Sequence, residues 1–238
     1  MRTPRSDPPA FARPRLVLSR CLELDACRYD GVSVRAPVVR RLAAHVELVP
    51  ICPEVAVGLG VPREPIRLVR RGGGTALIQP ATGRDLTEPM HDFASRYLRE
   101  LPEVDGFLLK ARSPSCGIHG VKVFLGETAA IPVGRDAGKF AAAVLESFPD
   151  HPVEHEGRLT NPRLLDDFLT GLFTIADVRC ARHQNRSATG LVDLHARHHL
   201  TRIMFSPQDQ NALDRIVEES YSHAEEAWGA YTEVFRRA

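Results

Sequence analysis

The chain has few cysteines, and none of them are paired in sequence. Its 238 residues include five cysteines, at positions 21, 27, 52, 116 and 180, with no Cys-x-x-Cys motif. Without such pairs, a zinc ribbon, a zinc finger and the compact cysteine run of a ferredoxin are all disfavoured. An odd and small number of cysteines also argues against a secreted disulfide framework. We therefore interpret the cysteines as reduced thiols.

Long hydrophobic runs are also absent. No stretch approaches the roughly 18 apolar residues of a membrane span. The segment Met1 to Arg15 is rich in proline and arginine and lacks the apolar core of a signal peptide. These features predict a soluble cytoplasmic protein without membrane contact, and we expect residues 1–13 to form a disordered leader. Hydrophobic residues nevertheless make up 43% of the chain, which is enough for a substantial core.

Three of the cysteines follow short apolar runs. The runs Leu16 to Leu18, Val46 to Ile51 and Phe107 to Leu109 precede Cys21, Cys52 and Cys116, respectively. If these runs are parallel strands, their carboxyl ends lie side by side, and open α/β sheets bind ligands at that edge. The sequence therefore predicts that three thiols meet in one pocket.

The order of the predicted elements favours an α/β fold. Apolar runs alternate with helical patterns, which is typical of a doubly wound, mostly parallel sheet. We predict that such a domain spans residues 14–150 and that a smaller all-helical C-terminal domain spans residues 160–238. Between Cys52 and Thr82 the chain is rich in glycine and proline. There we expect an irregular segment with one hairpin that pairs Ile66 to Val69 with Leu77-Ile78.

Charge is distributed unevenly along the chain. Residues 1–149 carry a net charge of +5, whereas residues 150–238 carry a net charge of −4. The first part is therefore mildly attractive to a phosphate backbone, and the second part is not unless its histidines become charged.

Isolated cysteines often serve only as core residues. The sequence intervals between Cys21, Cys52 and Cys116 do not exclude that structural role. The local context of Cys21, Cys52 and Cys116 argues for a functional role. Each of them lies within two residues of a serine, proline or glycine in a predicted loop, where core packing demands little.

Three ordered motifs resemble the bacterial thiouracil desulfidase family. They are Ser19-Arg20-Cys21-Leu22 with Arg28-Tyr29-Asp30-Gly31, then Cys52-Pro53-Glu54 with Gly58-Leu59-Gly60-Val61-Pro62-Arg63, then Lys110-Ala111-Arg112-Ser113-Pro114-Ser115-Cys116-Gly117. The resemblance covers residues 14–149. The tail, with Gly190-Leu191-Val192-Asp193-Leu194-His195 and Phe205-Ser206-Pro207, is similar to the helical domain of the two-domain desulfidases that act on 4-thiouridine in transfer RNA.

The resemblance implies a 4Fe-4S cluster held by Cys21, Cys52 and Cys116. Three protein ligands leave one iron open, and a soft thiocarbonyl sulfur prefers iron to water. The implied activity is non-redox, hydrolytic removal of sulfur from a thiolated pyrimidine, with release of sulfide. The implied substrate is 4-thiouridine, in transfer RNA or as a nucleoside, or free thiouracil. The arginines of the segment after Cys52, namely Arg63, Arg67, Arg70 and Arg71, are expected to contact phosphate.

The resemblance assigns catalytic roles to Glu54 and Ser113. Glu54 would accept a proton from the attacking water, and Ser113 would hydrogen-bond the water or the substrate. A solvated glutamate and a turn-forming serine before Pro114 are the alternatives. Tyr29 and Lys110 are candidates for binding the pyrimidine or its phosphate, with surface pairing as their alternative role.

Two alternatives to the desulfidase hypothesis stay open. One is a non-catalytic iron-sulfur or zinc-binding module that associates with RNA or senses redox state, and the other is a structural domain with core thiols. We interpret Cys27 and Cys180 as non-ligands, but Cys27 is close enough to Cys21 in sequence to be a fourth ligand. The helical domain is a candidate for binding transfer RNA, and the oligomeric state is left open.

Overall fold

The computed structural model describes residues 11–237, so most of the expected leader over 1–13 lies outside the described residues. The described chain forms two compact units. One is Arg15–Leu169, and the other consists of residues 170–237 together with 11–14. Within residues 11–237, no helix has the length and apolar character needed to cross a membrane.

The first unit is an α/β structure. Its strands are β1 (Arg15–Ser19), β2 (Glu47–Ile51), β3 (Arg67–Arg71), β4 (Gly74–Gln79), β5 (Arg84–Asp85), β6 (Gly106–Leu109), β7 (Val121–Phe124), β8 (Pro132–Asp136) and β9 (Val153–His155). Its helices are α1 (Pro37–Leu42), α2 (Pro53–Ala56), α3 (Thr87–Glu100), α4 (Lys139–Ser147) and a short 3-10 helix (Arg158–Thr160). The division between the units falls within helix α5 (Pro162–Gln184).

A four-stranded parallel sheet carries the predicted cysteine positions. Its strand order is β2-β1-β6-β9, and every neighbouring pair is parallel. The chain leaves β1 towards β2 on one side and later returns to β6 on the other, so the strand order reverses at β1. The α/β class with a mostly parallel sheet is confirmed. This sheet also continues beyond the predicted domain end at residue 150, because β9 pairs with β6.

A second sheet covers much of the segment that we expected to be irregular. Its order is β5-β4-β3-β7-β8, and only the β3 and β7 pair is parallel. The expected hairpin is confirmed, with Leu68 opposite Leu77. The pairing of β3 with β7 joins segments more than fifty residues apart in sequence, which local patterns do not reveal.

The core of the first unit combines residues of both sheets with residues of helices α3 and α4. Phe107 and Leu109 of β6 are fully buried, as are Met90 of α3 and Phe140 of α4. The apolar residues of α3 recur at intervals of three and four and so form one face. Met90, Ala94 and Leu98 on that face pack into this core.

The second unit is helical. After α5 it contains α6 (Ala188–Arg197), α7 (His199–Arg202), α8 (Pro207–Glu219) and α9 (Ala224–Arg237). The side chain of Ser187 caps α6 by accepting a hydrogen bond from Gly190 N, and Ser206 caps α8 in the same way. Trp228 and Tyr231 of α9 are buried in its core.

Candidate metal centre and active site

Three thiols approach each other at the carboxyl edge of the parallel sheet. Cys21 lies two residues after β1, and Cys52 lies directly after β2, where it is the N-cap of α2. Cys116 lies in the turn that follows β6. Because these strands are neighbours in the sheet, residues far apart in sequence come together. Cys21 and Cys116 are buried, and Cys52 is half-buried.

Burial and mutual proximity raise the pKa values of these thiols and so favour their neutral form. Burial, together with the neighbouring Cys27 and Cys52, raises the pKa of Cys21 to about 12. Burial also raises the pKa of Cys52 to about 11, and it raises the pKa of Cys116 well above its usual value. Each of the three thiols is close enough to others in this group to disfavour their ionisation. A bound metal would reverse this, because metal coordination deprotonates thiols.

The spacing of the sulfur atoms argues against a single metal ion. A tetrahedral zinc ion with Zn–S bonds of about 2.3 Å brings its sulfur ligands to within roughly 3.8 Å of one another. Among residues 11–237, no three cysteines have their sulfur atoms all within 4.8 Å of one another. A cluster whose cysteines bind different irons holds its ligands further apart. This spacing does not fit a zinc ion held by three of these cysteines, and cysteine thiolates are the ligands that iron-sulfur clusters take.

The thiols adjoin a cavity of about 770 Å³. Cys21, Cys27 and Cys116 line it, and Cys52 lies between the lining residues Ile51 and Glu54. Seven arginine and lysine side chains and one carboxylate contribute to its wall. The cations are Arg28, Arg63, Arg67, Lys110, Arg112, Lys122 and Arg135, and the carboxylate is Glu54. Such a wall attracts an anionic ligand.

Glu54 is held firmly at this cavity. It lies on the short helix α2, and its side chain is only 13% exposed. The Oε2 atom accepts hydrogen bonds from Arg63 Nη2 at 2.6 Å and from Arg63 Nε at 3.0 Å. The Oε1 atom accepts a hydrogen bond from Ser113 Oγ at 3.2 Å. The alternative of a solvated loop glutamate does not agree with this burial and pairing.

Two serine hydroxyls link the site to the turn of Cys116. Ser113 Oγ accepts hydrogen bonds from Cys116 N at 3.1 Å and from Ser115 N at 3.2 Å. Ser19 Oγ accepts a hydrogen bond from Lys110 N at 2.9 Å, and its interaction with the sulfur of Cys116 opposes the rise in that thiol's pKa. A hydroxyl beside the sulfur favours the thiolate that metal binding requires.

Lys110 and Tyr29 both line the cavity. The Nζ atom of Lys110 donates to Glu156 Oε1, and Glu156 Oε2 accepts a hydrogen bond from Ala111 N at 2.8 Å. Glu156 thus fastens the start of the loop that carries Cys116. Tyr29 is 43% exposed, and Arg28 lies over its ring at 5.3 Å from the centroid. Tyr29 is accessible to a ligand, whereas Lys110 already has an anionic partner.

The other two cysteines lie in different environments. Cys27 is buried in the cavity wall, and its carbonyl oxygen accepts a hydrogen bond from Cys52 Sγ at 3.8 Å. The side chain of Cys27 also hydrogen-bonds the guanidinium of Arg20 and thereby raises the pKa of Arg20. Cys180 lies on helix α5, in the helical unit.

Of the four arginines after Cys52 that we expected to contact phosphate, Arg63 is turned inward, and for Arg67, Arg70 and Arg71 the role stays a prediction. Arg63 is 5% exposed and is bound to Glu54. Arg71 is paired with Asp85 and Glu127. Arg67 does line the cavity, with its guanidinium 4.3 Å from the centroid of the Phe124 ring. We did not predict two ion pairs of the site. Arg63 pairs with Glu54, and Glu156 pairs with Lys110.

Gly138 is needed for close packing behind Cys116. A Cβ atom at this position would lie 2.6 Å from the carbonyl oxygen of Ser115 and 2.8 Å from that of Ser113. We expect Gly138→Ala to lower the free energy of unfolding by about 1–3 kcal/mol, because the backbone turn must shift. Urea denaturation of the reduced chain measures this change. Gly126→Ala is the matched control, since a Cβ there meets nothing within 4 Å. Equal stability of the two variants would contradict the expectation.

The fold and the site together define an α/β protein with a thiol-lined, cation-rich cavity at the carboxyl edge of its parallel sheet. A sequence model of the 2-thiouracil desulfurase family matches residues 16–156, which is more than half of the chain. The chain therefore belongs to the 2-thiouracil desulfurase family. This confirms the resemblance carried by the three cysteine motifs.

Two known proteins are similar to parts of the chain. The uncharacterised protein YbbK of Bacillus subtilis strain 168 is 35% identical over 109 residues, which cover 43% of this chain and 72% of YbbK. A solved structure of a 4Fe-4S-dependent thiouracil desulfidase, TudS, is 26% identical with a TM-score of 0.47. That match covers 66% of this chain and 99% of TudS.

Proposed function

We propose that this protein is an iron-sulfur-dependent desulfidase that replaces the thiocarbonyl sulfur of a pyrimidine with oxygen and releases sulfide. The observation that supports this best is the meeting of three thiols with the Glu54 and Ser113 pair at one edge of the sheet. Family membership supports the same chemistry. Because free thiols stay reduced in the cytoplasm, we place the enzyme there.

The residues that would hold the 4Fe-4S cluster are Cys21, Cys52 and Cys116. The electrostatic influence of Cys21 and Cys52 on Cys116 and the hydroxyl of Ser19 beside Cys116 support this assignment. When bound, a cluster with three protein ligands supplies an open iron that acts as a Lewis acid towards a soft sulfur atom. The backbone carbonyl of Cys27 accepts a hydrogen bond from Cys52 Sγ, and we assign the thiol of Cys27 no ligand role.

Glu54 and Ser113 would bind and activate the attacking water. Oε2 of Glu54 is occupied by Arg63, which leaves Oε1, beside Ser113, to accept a proton. The water oxygen bonds to the carbon while Glu54 takes one of its protons. The carbon–sulfur bond then breaks, the second proton passes to the departing sulfur, which leaves as hydrosulfide, and the oxygen stays on the carbon as the carbonyl. No electrons are gained or lost overall. The reaction is therefore a hydrolysis.

The positive charge of the cavity wall favours a substrate that carries phosphate. Tyr29 offers an exposed ring for stacking on the base, and Arg67 and Arg135 add positive charge around the cavity. Lys110, which Glu156 neutralises in part, would contact the pyrimidine. We propose 4-thiouridine as the nucleoside whose base reacts and transfer RNA as its natural carrier. A flipped nucleotide would be needed to bring that base to the thiols.

The proposal is tested by anaerobic reconstitution with iron and sulfide, followed by measurement of sulfide release. Thiouracil, 4-thiouridine and thiolated transfer RNA are compared side by side. We expect sulfide from at least one of them, with thiolated transfer RNA turned over best. If the reconstituted chain holds about four irons and releases no sulfide from any of them, the proposed function is wrong.

The role of transfer RNA has its own test, the salt dependence of binding. If cavity cations contact several phosphates, affinity for thiolated transfer RNA should fall at least about tenfold between about 50 and about 200 mM salt. Binding is measured by filter retention or fluorescence anisotropy. Unthiolated transfer RNA is the control, with a similar salt slope and no sulfide release. A flat response would show that free base or nucleoside is the substrate.

A further inference from the structure

Arg63 is almost completely buried although it belongs to the cavity wall, and all three of its side-chain nitrogens donate hydrogen bonds to other groups of the protein. Its side chain is 5% exposed. Nη2 and Nε both donate to Oε2 of Glu54, at 2.6 and 3.0 Å. A buried guanidinium held this way has little freedom to bind a ligand, so its function is to act on Glu54.

The third nitrogen of Arg63 connects Glu54 to the loop of Cys27. Arg63 Nη1 donates to the carbonyl oxygens of Cys27 and Gly60, each at 3.0 Å. The carbonyl of Cys27 also accepts the hydrogen bond from Cys52 Sγ. The backbone N–H of Arg63 donates to the carbonyl of Tyr29 at 2.8 Å. Arg63 therefore ties the loop of Cys27 and Tyr29 to the helix that carries Glu54.

These contacts make the two oxygens of Glu54 different. Oε2 faces the guanidinium, and Oε1 faces Ser113, whose hydroxyl is held by the backbone of Cys116. Helix α2 has only four residues and offers little rigidity of its own. Without Arg63 the carboxylate could rotate about its side-chain bonds. A lysine would keep the charge but cannot reproduce the planar fork of donors.

We propose that Arg63 is a positioning residue that orients Glu54, so that Oε1 is the oxygen presented to the attacking water. This inference rests on the proposed function, because it assigns Glu54 the role of the base. Precise orientation of a catalytic group has large effects on rate, since small displacements of the reacting atoms reduce turnover. In this proposal, Arg63 and Glu54 do not bind the substrate, which is bound by other residues of the cavity.

The test is a double-mutant cycle on the reconstituted full-length chain. We expect Arg63→Lys to keep the iron and sulfide content and to lower kcat by about 10- to 100-fold with KM within about twofold. Combined with Glu54→Gln, Arg63→Lys should have almost no further effect, because there is no longer a base to orient. Arg63→Met extends the series with a variant that removes the charge. Arg99→Lys, on an exposed arginine of α3 outside the cavity lining, is the matched control and should leave kcat unchanged.

The outcomes separate this inference from the proposed function. Wild-type kcat in Arg63→Lys, or a double variant whose loss is the product of the two single losses, overturns the positioning role alone. A lower iron content in Arg63→Lys also overturns it, because the residue would then support the cluster rather than the base. If the wild-type chain releases no sulfide, the proposed function fails and this inference fails with it.

Discussion

Replacing Cys21, Cys52 or Cys116 by serine is expected to remove the cluster and abolish sulfide release. Serine is nearly the size of cysteine but lacks the soft thiolate that iron-sulfur clusters require. We expect the iron content after anaerobic reconstitution to fall from about four per chain to a small fraction of that value. The loss of a direct ligand should exceed the roughly 10- to 100-fold cost of removing a second-layer hydrogen-bond partner.

Cys27→Ser and Cys180→Ser are the matched controls. Both change a thiol to a hydroxyl, the first in the cavity wall and the second on α5 of the helical unit. We expect both variants to keep the iron, the sulfide and the brown absorption of the wild-type protein. Iron loss in Cys27→Ser would identify Cys27 as a fourth ligand. Such a ligand would occupy the open iron, and the proposed reaction would lose the position where the substrate sulfur binds.

Glu54→Gln is expected to lower turnover by about 100-fold or more while leaving the cluster in place. Glutamine keeps the size and the hydrogen-bonding oxygen that Arg63 contacts, but its amide cannot accept the proton from water. Sulfide release and iron content, measured on the same sample, separate these effects. Full activity in Glu54→Gln would contradict the role of base.

The control for Glu54→Gln is a neighbouring acid that the mechanism does not use. Glu64 lies ten residues later, beside Arg63, and Glu64→Gln removes one charge outside the cavity lining. We expect that variant to keep wild-type turnover. If both substitutions reduce the rate equally, the loss reflects charge in this segment and not proton transfer by Glu54. A non-catalytic iron-sulfur module would instead keep its cluster and show no turnover in any variant, wild type included.

The motif residues could be predicted because they lie at the ends of recognisable strands. Cys21, Cys52 and Cys116 each follow an apolar run, and neighbouring parallel strands bring their carboxyl ends together. The same reasoning did not reveal the second sheet. Its strands include β3 and β7, whose partners lie far away in sequence, and strand partners are set by packing as well as by local pattern.

The partners of the charged residues could not be predicted. Arg63 was expected to contact phosphate, but the fold turns it inward onto Glu54. Glu156 lies 46 residues after Lys110, and no local motif joins them. Such a pair forms only when β9 aligns beside β6 and brings the two loops together. The pair depends on the distance between two segments in the folded chain. The residues next to Lys110 and Glu156 in sequence do not determine that distance.

By itself, the sequence determined the α/β class, the family and the three thiols, because these depend on residue types and on periodic patterns that lie close together along the chain. Only the tertiary structure decided that Glu54 is buried and held by Arg63 and Ser113, and that the cavity is walled by cations. The physical reason is that burial and ion pairing depend on how elements pack, and a few ångströms of displacement between loops would change either one.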